Sequence, residues 1–92
     1  MKNKSKNSSS SNFSKKRKFN IKKGESNVWK NLKHYRGEIK MSGKGKKTKY
    51  YVWDHLHNDI EVYNRNGVHL GCMDPITGKM YEPPVPGRVI NI

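Results

Sequence analysis

Residues 59–63, Asp-Ile-Glu-Val-Tyr, alternate polar and apolar positions, the stretch 49–53 before them is rich in aromatic and β-branched residues, and 68–73 is a further, largely apolar run. A period of two with such residues predicts strands. Asn64-Arg65-Asn66-Gly67 lies between the second and third of these runs and carries the Asn-Gly hairpin signal. Asp74-Pro75-Ile76-Thr77-Gly78 has proline and glycine where a turn needs them, and Lys79-Met80-Tyr81 suits a short further strand. Pro83, Pro84 and Pro86 cannot donate to a ladder, so the segment that holds them is an edge or a loop. Upstream the period changes. Ser26 is placed to cap a helix over residues 26–36, with Val28, Leu32 and Tyr35 on one face, Trp29 beside it and Gly37 to end it. Three turns are marginal alone, so this helix is expected to lie against the strands. The predicted fold is α+β: a small twisted antiparallel sheet, a meander of four or five strands, with one short N-terminal helix.

Charge divides the chain. Residues 1–49 carry 17 Lys and Arg against Glu25 and Glu38, a net of +15, whereas residues 50–92 sum to −2. Residues 1–24 hold nine Lys and Arg, no acid and a Ser/Asn-rich run, the composition of a disordered basic tail or linker. The folded domain is therefore expected over residues 25–92. Lys44, Lys46 and Lys47 sit in a glycine-containing loop at 43–47, and with Lys40 and Lys49 they are candidate phosphate contacts. A basic arm on a mildly acidic body points to a nucleic acid partner. The basic half has no long apolar face to lie in lipid, and no run of about 18 apolar residues exists to span it, so no membrane anchoring is expected. No secretory leader is expected, since polar and basic residues follow Met1. Cys72 is alone, which leaves no internal disulfide and suits a reducing compartment.

The densest chemistry lies at Asp54-His55-Leu56-His57-Asn58-Asp59-Ile60-Glu61, with five ionisable residues in eight positions. His57 and Glu61 in one extended strand would share a face about 13 Å apart. A turn or bulge near Asn58 would bring them closer. Cleavage of RNA needs few protein groups, because the nucleophile is the substrate's own 2′-hydroxyl. A base takes its proton, an acid protonates the leaving 5′-oxygen and a cation steadies the phosphorane. Glu61, His57 and Arg88 are groups of those three types. On alternation alone, the default reading of Glu61 is a polar residue on the wet face of a two-sided strand. A competing site would use Asp54, His55, His57 and His69 as metal ligands, although no cysteine pair supports it.

The run Tyr51-Val52-Trp53-Asp54-x-x-His57-x-x-x-Glu61-x-Tyr63, then Gly67-x-His69-Leu70-Gly71-x-x-Asp74-Pro75-x-Thr77-Gly78, then a proline-rich turn and Arg88, resembles the cytotoxic ribonuclease domain of cloacin and the E-group colicins. The resemblance covers about residues 49–90; residues 1–36 carry no matching motif. It implies an endoribonuclease that needs no cofactor or metal. It implies a single cut in small-subunit (16S) ribosomal RNA at the decoding site, which stops translation in the cytoplasm of a target bacterium. The family's catalytic set falls on Asp54, His57, Glu61 and Arg88, with Tyr63 and His69 in supporting places. The implied partners are the ribosome and an acidic immunity protein, with the free domain monomeric. Delivery would be as part of a larger toxin, as a stand-alone toxin, or by another system. The hairpin before His69 is one residue shorter than the family's, which leaves two registers. A loop of Arg65-Asn66-Gly67 puts His69 opposite Tyr63 on Glu61's face, and a two-residue Asn66-Gly67 turn puts it opposite Asn64 on the other face. The alternative functions are a noncatalytic RNA-binding or ribosome-associated module and a metal-dependent nuclease.

Overall fold

A computed structural model describes residues 20–92. Most of the tail expected at 1–24 thus lies outside the described residues. Lys23–Glu25 form a 3-10 turn that leads into a one-turn helix, α1, Asn27–Lys30. Six strands follow: β1 Lys33–Arg36, β2 Ile39–Ser42, β3 Lys49–Asp54, β4 Asp59–Tyr63, β5 His69–Met73 and β6 Met80–Glu82. They pair antiparallel in chain order into one sheet. The meander is as expected from β3 onward and longer by two strands at its start. Among the described residues no helix is long and apolar enough to cross a membrane.

The helix expected over 26–36 stops at Lys30, and residues 33–36 are strand instead. Ser26 caps it as expected, its Oγ accepting from the Trp29 N–H at 3.0 Å. Gly37 does not end a helix. It takes φ +53° in the two-residue turn that joins Arg36 to its partner Ile39. The short helix would gain little by extension, whereas the hairpin gains ladder bonds and a packing partner. Tyr35 leaves the expected helical stripe and packs edge-on against Tyr50 of β3, with centroids 4.8 Å apart.

The core lies on one face of the sheet. Trp53 and Ile60 are cross-strand partners, as are Tyr51 and Val62, and all four are buried with Met73 and Trp29. Val28 and Leu32 pack against this cluster. Trp29 meets Trp53 edge to face at 5.7 Å, a contact that adds about 0.5–1.5 kcal/mol beyond the area it buries. Lys40 spans this layer from β2. Its ammonium donates to the Trp29 carbonyl at 2.8 Å and lies 4.8 Å from the Trp29 ring centroid, and burial followed by Lys23 lowers its pKa.

The opposite face of β4 is also covered. The proline-rich segment turns back so that Val89 bridges Val68, His69 N–H donates to the Arg88 carbonyl at 3.0 Å, and Ile90 N–H donates to the Gly67 carbonyl at 2.8 Å. Gly67 has φ +80°, and a β-carbon there would lie 2.4 Å from the Ile90 carbonyl oxygen, so this docking requires glycine. All five residues of β4 are therefore buried, polar ones included.

One buried hydroxyl ties α1 to the sheet's far end. Ser26 Oγ donates to the Pro75 carbonyl at 2.6 Å while accepting from Trp29. The Asp74-Pro75-Ile76-Thr77-Gly78 turn forms as expected, with Asp74 Oδ1 accepting from the Ile76 N–H at 2.7 Å and Gly78 N–H donating to the Asp74 carbonyl. Ser26→Ala removes the cap and strands the Pro75 carbonyl, so it is expected to cost about 1–3 kcal/mol in urea unfolding. An unchanged midpoint would show that the tie carries no stability.

Candidate active site

Alternation along β4 sends Asp59, Glu61 and Tyr63 to the face away from the core, and pairing adds their neighbours. Asp54 is opposite Asp59, Cys72 is opposite Glu61, and His69 is opposite Tyr63. This is the register of the three-residue loop. A bulge between Val62 and Tyr63 accommodates it, and Asn64 Oδ1 closes the loop by accepting from the N–H groups of Asn66 and Val68.

Glu61 is not on a wet face: it is 8% exposed. Its Oε1 accepts from His69 Nε2 at 2.6 Å and from an Arg88 guanidinium nitrogen at 3.1 Å. Its Oε2 accepts from the Cys72 thiol at 3.4 Å. The His69 ring is itself fixed, because Nδ1 accepts from the Val85 N–H at 2.9 Å. With Nδ1 an acceptor, the ring proton belongs on Nε2, where it meets the carboxylate.

His57 is held differently. Residues 55–58 form a turn between β3 and β4, with Asn58 at φ +54°. Asp54, at the end of β3, accepts on Oδ1 from the N–H groups of Leu56 at 2.9 Å and His57 at 3.2 Å. Its Oδ2 meets His57 Nδ1 at 2.9 Å. One carboxylate thus shapes the turn and orients the imidazole, which stays 67% exposed. Burial raises the Asp54 pKa, but hydrogen bonds from the His57 side chain and from the His57 and Leu56 backbone outweigh it and leave the carboxyl below its usual range. The same hydrogen bond, then the Asp54 charge, raises His57, with smaller contributions from Asp59 and Glu82.

Asp54, His57, Glu61 and Arg88 line a single cavity of about 640 Å³. Its wall also contains Leu56, Asp59, Tyr81, Glu82 and Val85, none of which was singled out for the site on sequence grounds. Tyr81 donates its hydroxyl to Asp59. Tyr63 and His69 stand behind Glu61, their rings edge to face at 5.2 Å. Burial, then the Glu61 charge, raises the Tyr63 phenol.

The candidate phosphate contacts separate. Lys44, Lys46, Lys47 and Lys49 are exposed, whereas the Lys40 ammonium is engaged with Trp29. Gly43, at φ +79°, lets the Lys47 carbonyl approach to where its β-carbon would be, and so folds this loop tightly. Among the tyrosines, Tyr51 and Tyr63 are buried, and Tyr51 shares a 2.7 Å hydrogen bond with Ser42.

The ligand set Asp54, His55, His57 and His69 does not gather. His55 turns to Glu38 at 4.0 Å, His57 to Asp54 and His69 to Glu61. Among the described residues the groups close enough to share an ion are Glu61, His69 and Cys72, and Asp59, Cys72 and Glu82. In the first of these, the His69 Nε2 hydrogen and the thiol hydrogen both point to the carboxylate. Burial, then Glu61, holds the Cys72 thiol far above its usual range. The cluster is a carboxylate ringed by three donors.

The family model for Cytotoxic matches residues 11–91, reaching well upstream of the motifs. Cloacin from Escherichia coli is 48% identical over 47 residues, covering 50% of this chain and 8% of cloacin. Colicin E3 from Escherichia coli is 36% identical over 61 residues, covering 56% of this chain and 11% of colicin E3. The chain therefore spans a small part of the curated relatives it matches. No solved structure matches it significantly.

Proposed function

The chain belongs to the Cytotoxic family, and from that premise we propose that it is the ribonuclease unit of a bacteriocin-type toxin. Its substrate in this reading is small-subunit (16S) ribosomal RNA, cut once at the decoding site in the cytoplasm of a target bacterium. One observation carries the reading: Asp54, His57, Glu61 and Arg88, from three separate stretches of chain, line one cavity.

The chemistry follows from their arrangement. Glu61 takes the proton of the 2′-hydroxyl, whose oxygen attacks the adjacent phosphorus. His57 gives its proton to the leaving 5′-oxygen, and Asp54 holds the ring in place and favours its charged form. Arg88 presents a permanent charge and a planar fork to the phosphorane oxygens. The products are a 2′,3′-cyclic phosphate and a free 5′-hydroxyl. No water need be activated, so no metal or cofactor is called for.

The basic half supplies encounter. Lys44, Lys46, Lys47 and Lys49 project from the loop and strand at 43–49 toward solvent, where they meet phosphates with a strong dependence on salt. Such a surface also suits fast, electrostatically steered capture by an acidic immunity protein.

Incubation with intact ribosomes, followed by mapping of RNA ends, is expected to give one cut in the small-subunit RNA. On a decoding-site RNA oligonucleotide the rate is expected to be unchanged by EDTA. Absence of a cut would refute the reading, and loss of activity with chelator that zinc restores would refute the mechanism.

A further inference from the structure

We propose that Cys72 is a positioning residue: its thiol holds the second carboxylate oxygen of Glu61 in the orientation that accepts the substrate's 2′-hydroxyl proton. The proposal rests on the ribonuclease reading above and refines its base.

The two oxygens of Glu61 are treated unequally. Oε1 is committed twice, to His69 Nε2 at 2.6 Å and to Arg88 at 3.1 Å. Oε2 has the Cys72 thiol at 3.4 Å. The strong bonds to Oε1 fix that atom but leave the carboxylate plane able to swing about it. A second contact on the other oxygen stops the swing. Cys72 is placed for this by pairing, since it is the cross-strand partner of Glu61 and is itself buried.

A thiol suits the task. S–H is a weak donor, whereas a donor bound to carboxylate by a short O–H···O⁻ bond ties up a lone pair far more firmly. Oε2 is therefore oriented and remains the less saturated oxygen, with electron density left for the incoming proton. Burial, then the Glu61 charge, hydrogen bonding to Glu61 and to Glu82, and the Asp59 charge keep the sulfur protonated. It therefore acts as a donor and not as a nucleophile.

The test is steady-state cleavage of an RNA oligonucleotide by the full chain carrying Cys72→Ala, Cys72→Val or Cys72→Ser. Loss of the donor in Cys72→Ala is expected to lower kcat about tenfold, the size of one hydrogen bond, with KM unchanged because Cys72 does not line the cavity. Cys72→Val repeats the measurement with the space filled, and is expected to fall equally. Cys72→Ser keeps a donor, but its firmer O–H···O⁻ bond draws electron density from Oε2, so its kcat is expected to fall between that of the parent and those of the Ala and Val variants. Thermal unfolding of each variant establishes that it is folded. The proposal is overturned if folded Ala and Val variants keep full kcat, if Ser falls as far as they do, or if KM alone changes. Glu61→Gln separates the two levels. Full activity in that variant would remove the ribonuclease reading's base. Inactive Glu61→Gln beside fully active Cys72→Ala and Cys72→Val would overturn the role of Cys72 alone.

Discussion

Glu61→Gln is expected to reduce RNA cleavage by about 10²–10⁴-fold, the usual contribution of a positioned acid or base. Affinity for RNA is expected to stay close to the parent's. The substitution is nearly isosteric, and its geometry can be accommodated. The amide oxygen can take the place of Oε1 and keep the bonds from His69 and Arg88, and the amide nitrogen then falls beside Cys72. What is lost is the ability to accept a proton at neutral pH. Removing one negative charge from the cavity does nothing to weaken attraction for a polyanion. The measurement is single-turnover cleavage of an oligonucleotide alongside binding by fluorescence anisotropy. A variant that binds and cleaves like the parent would leave a noncatalytic RNA-binding module as the better description, since such a module uses the exposed lysines and has no need of a buried carboxylate.

The central half of the fold was legible because its signals are local. Alternation at 59–63, the Asn-Gly turn and the Asp74 turn each depend on residues close in sequence, and strands form there. The β1–β2 hairpin was not legible, because Gly37 serves a helix end and a hairpin turn equally well. What decides is Tyr35 meeting Tyr50, a contact between distant residues. The site divides the same way. The Asp54 and His57 pair is three residues apart and was visible. The burial of Glu61 was hidden, because its cover is the 83–90 segment, which has no periodicity and is docked by Gly67, Val68 and His69. Cys72 could be placed beside Glu61 only once the register was known, and that depends on a bulge that composition does not announce. Lys40 shows the converse. Its charge counted toward a phosphate surface, yet its ammonium is engaged on Trp29.

His57→Ala is expected to lose a comparable 10²–10⁴-fold in cleavage, and the pH dependence distinguishes a proton donor from a residue that merely binds. The sign follows from Asp54. Its hydrogen bond and charge raise the His57 pKa, so the protonated ring persists above the ordinary histidine range. An acid must be protonated to act, so activity holds below that raised value and falls as pH climbs through it. Asp54→Asn provides the finer test. Asparagine Oδ1 can still accept from the Leu56 and His57 N–H groups, so the turn survives, but the charge opposite the ring is gone. The basic limb of kcat/KM should then move to lower pH. In His57→Ala the basic limb should vanish along with most of the rate. An Asp54→Asn profile that coincides with the parent's, or a residual His57→Ala activity that keeps its basic limb, would assign the proton to another group. Tyr81, which lines the same cavity and already donates to Asp59, would be the first to examine.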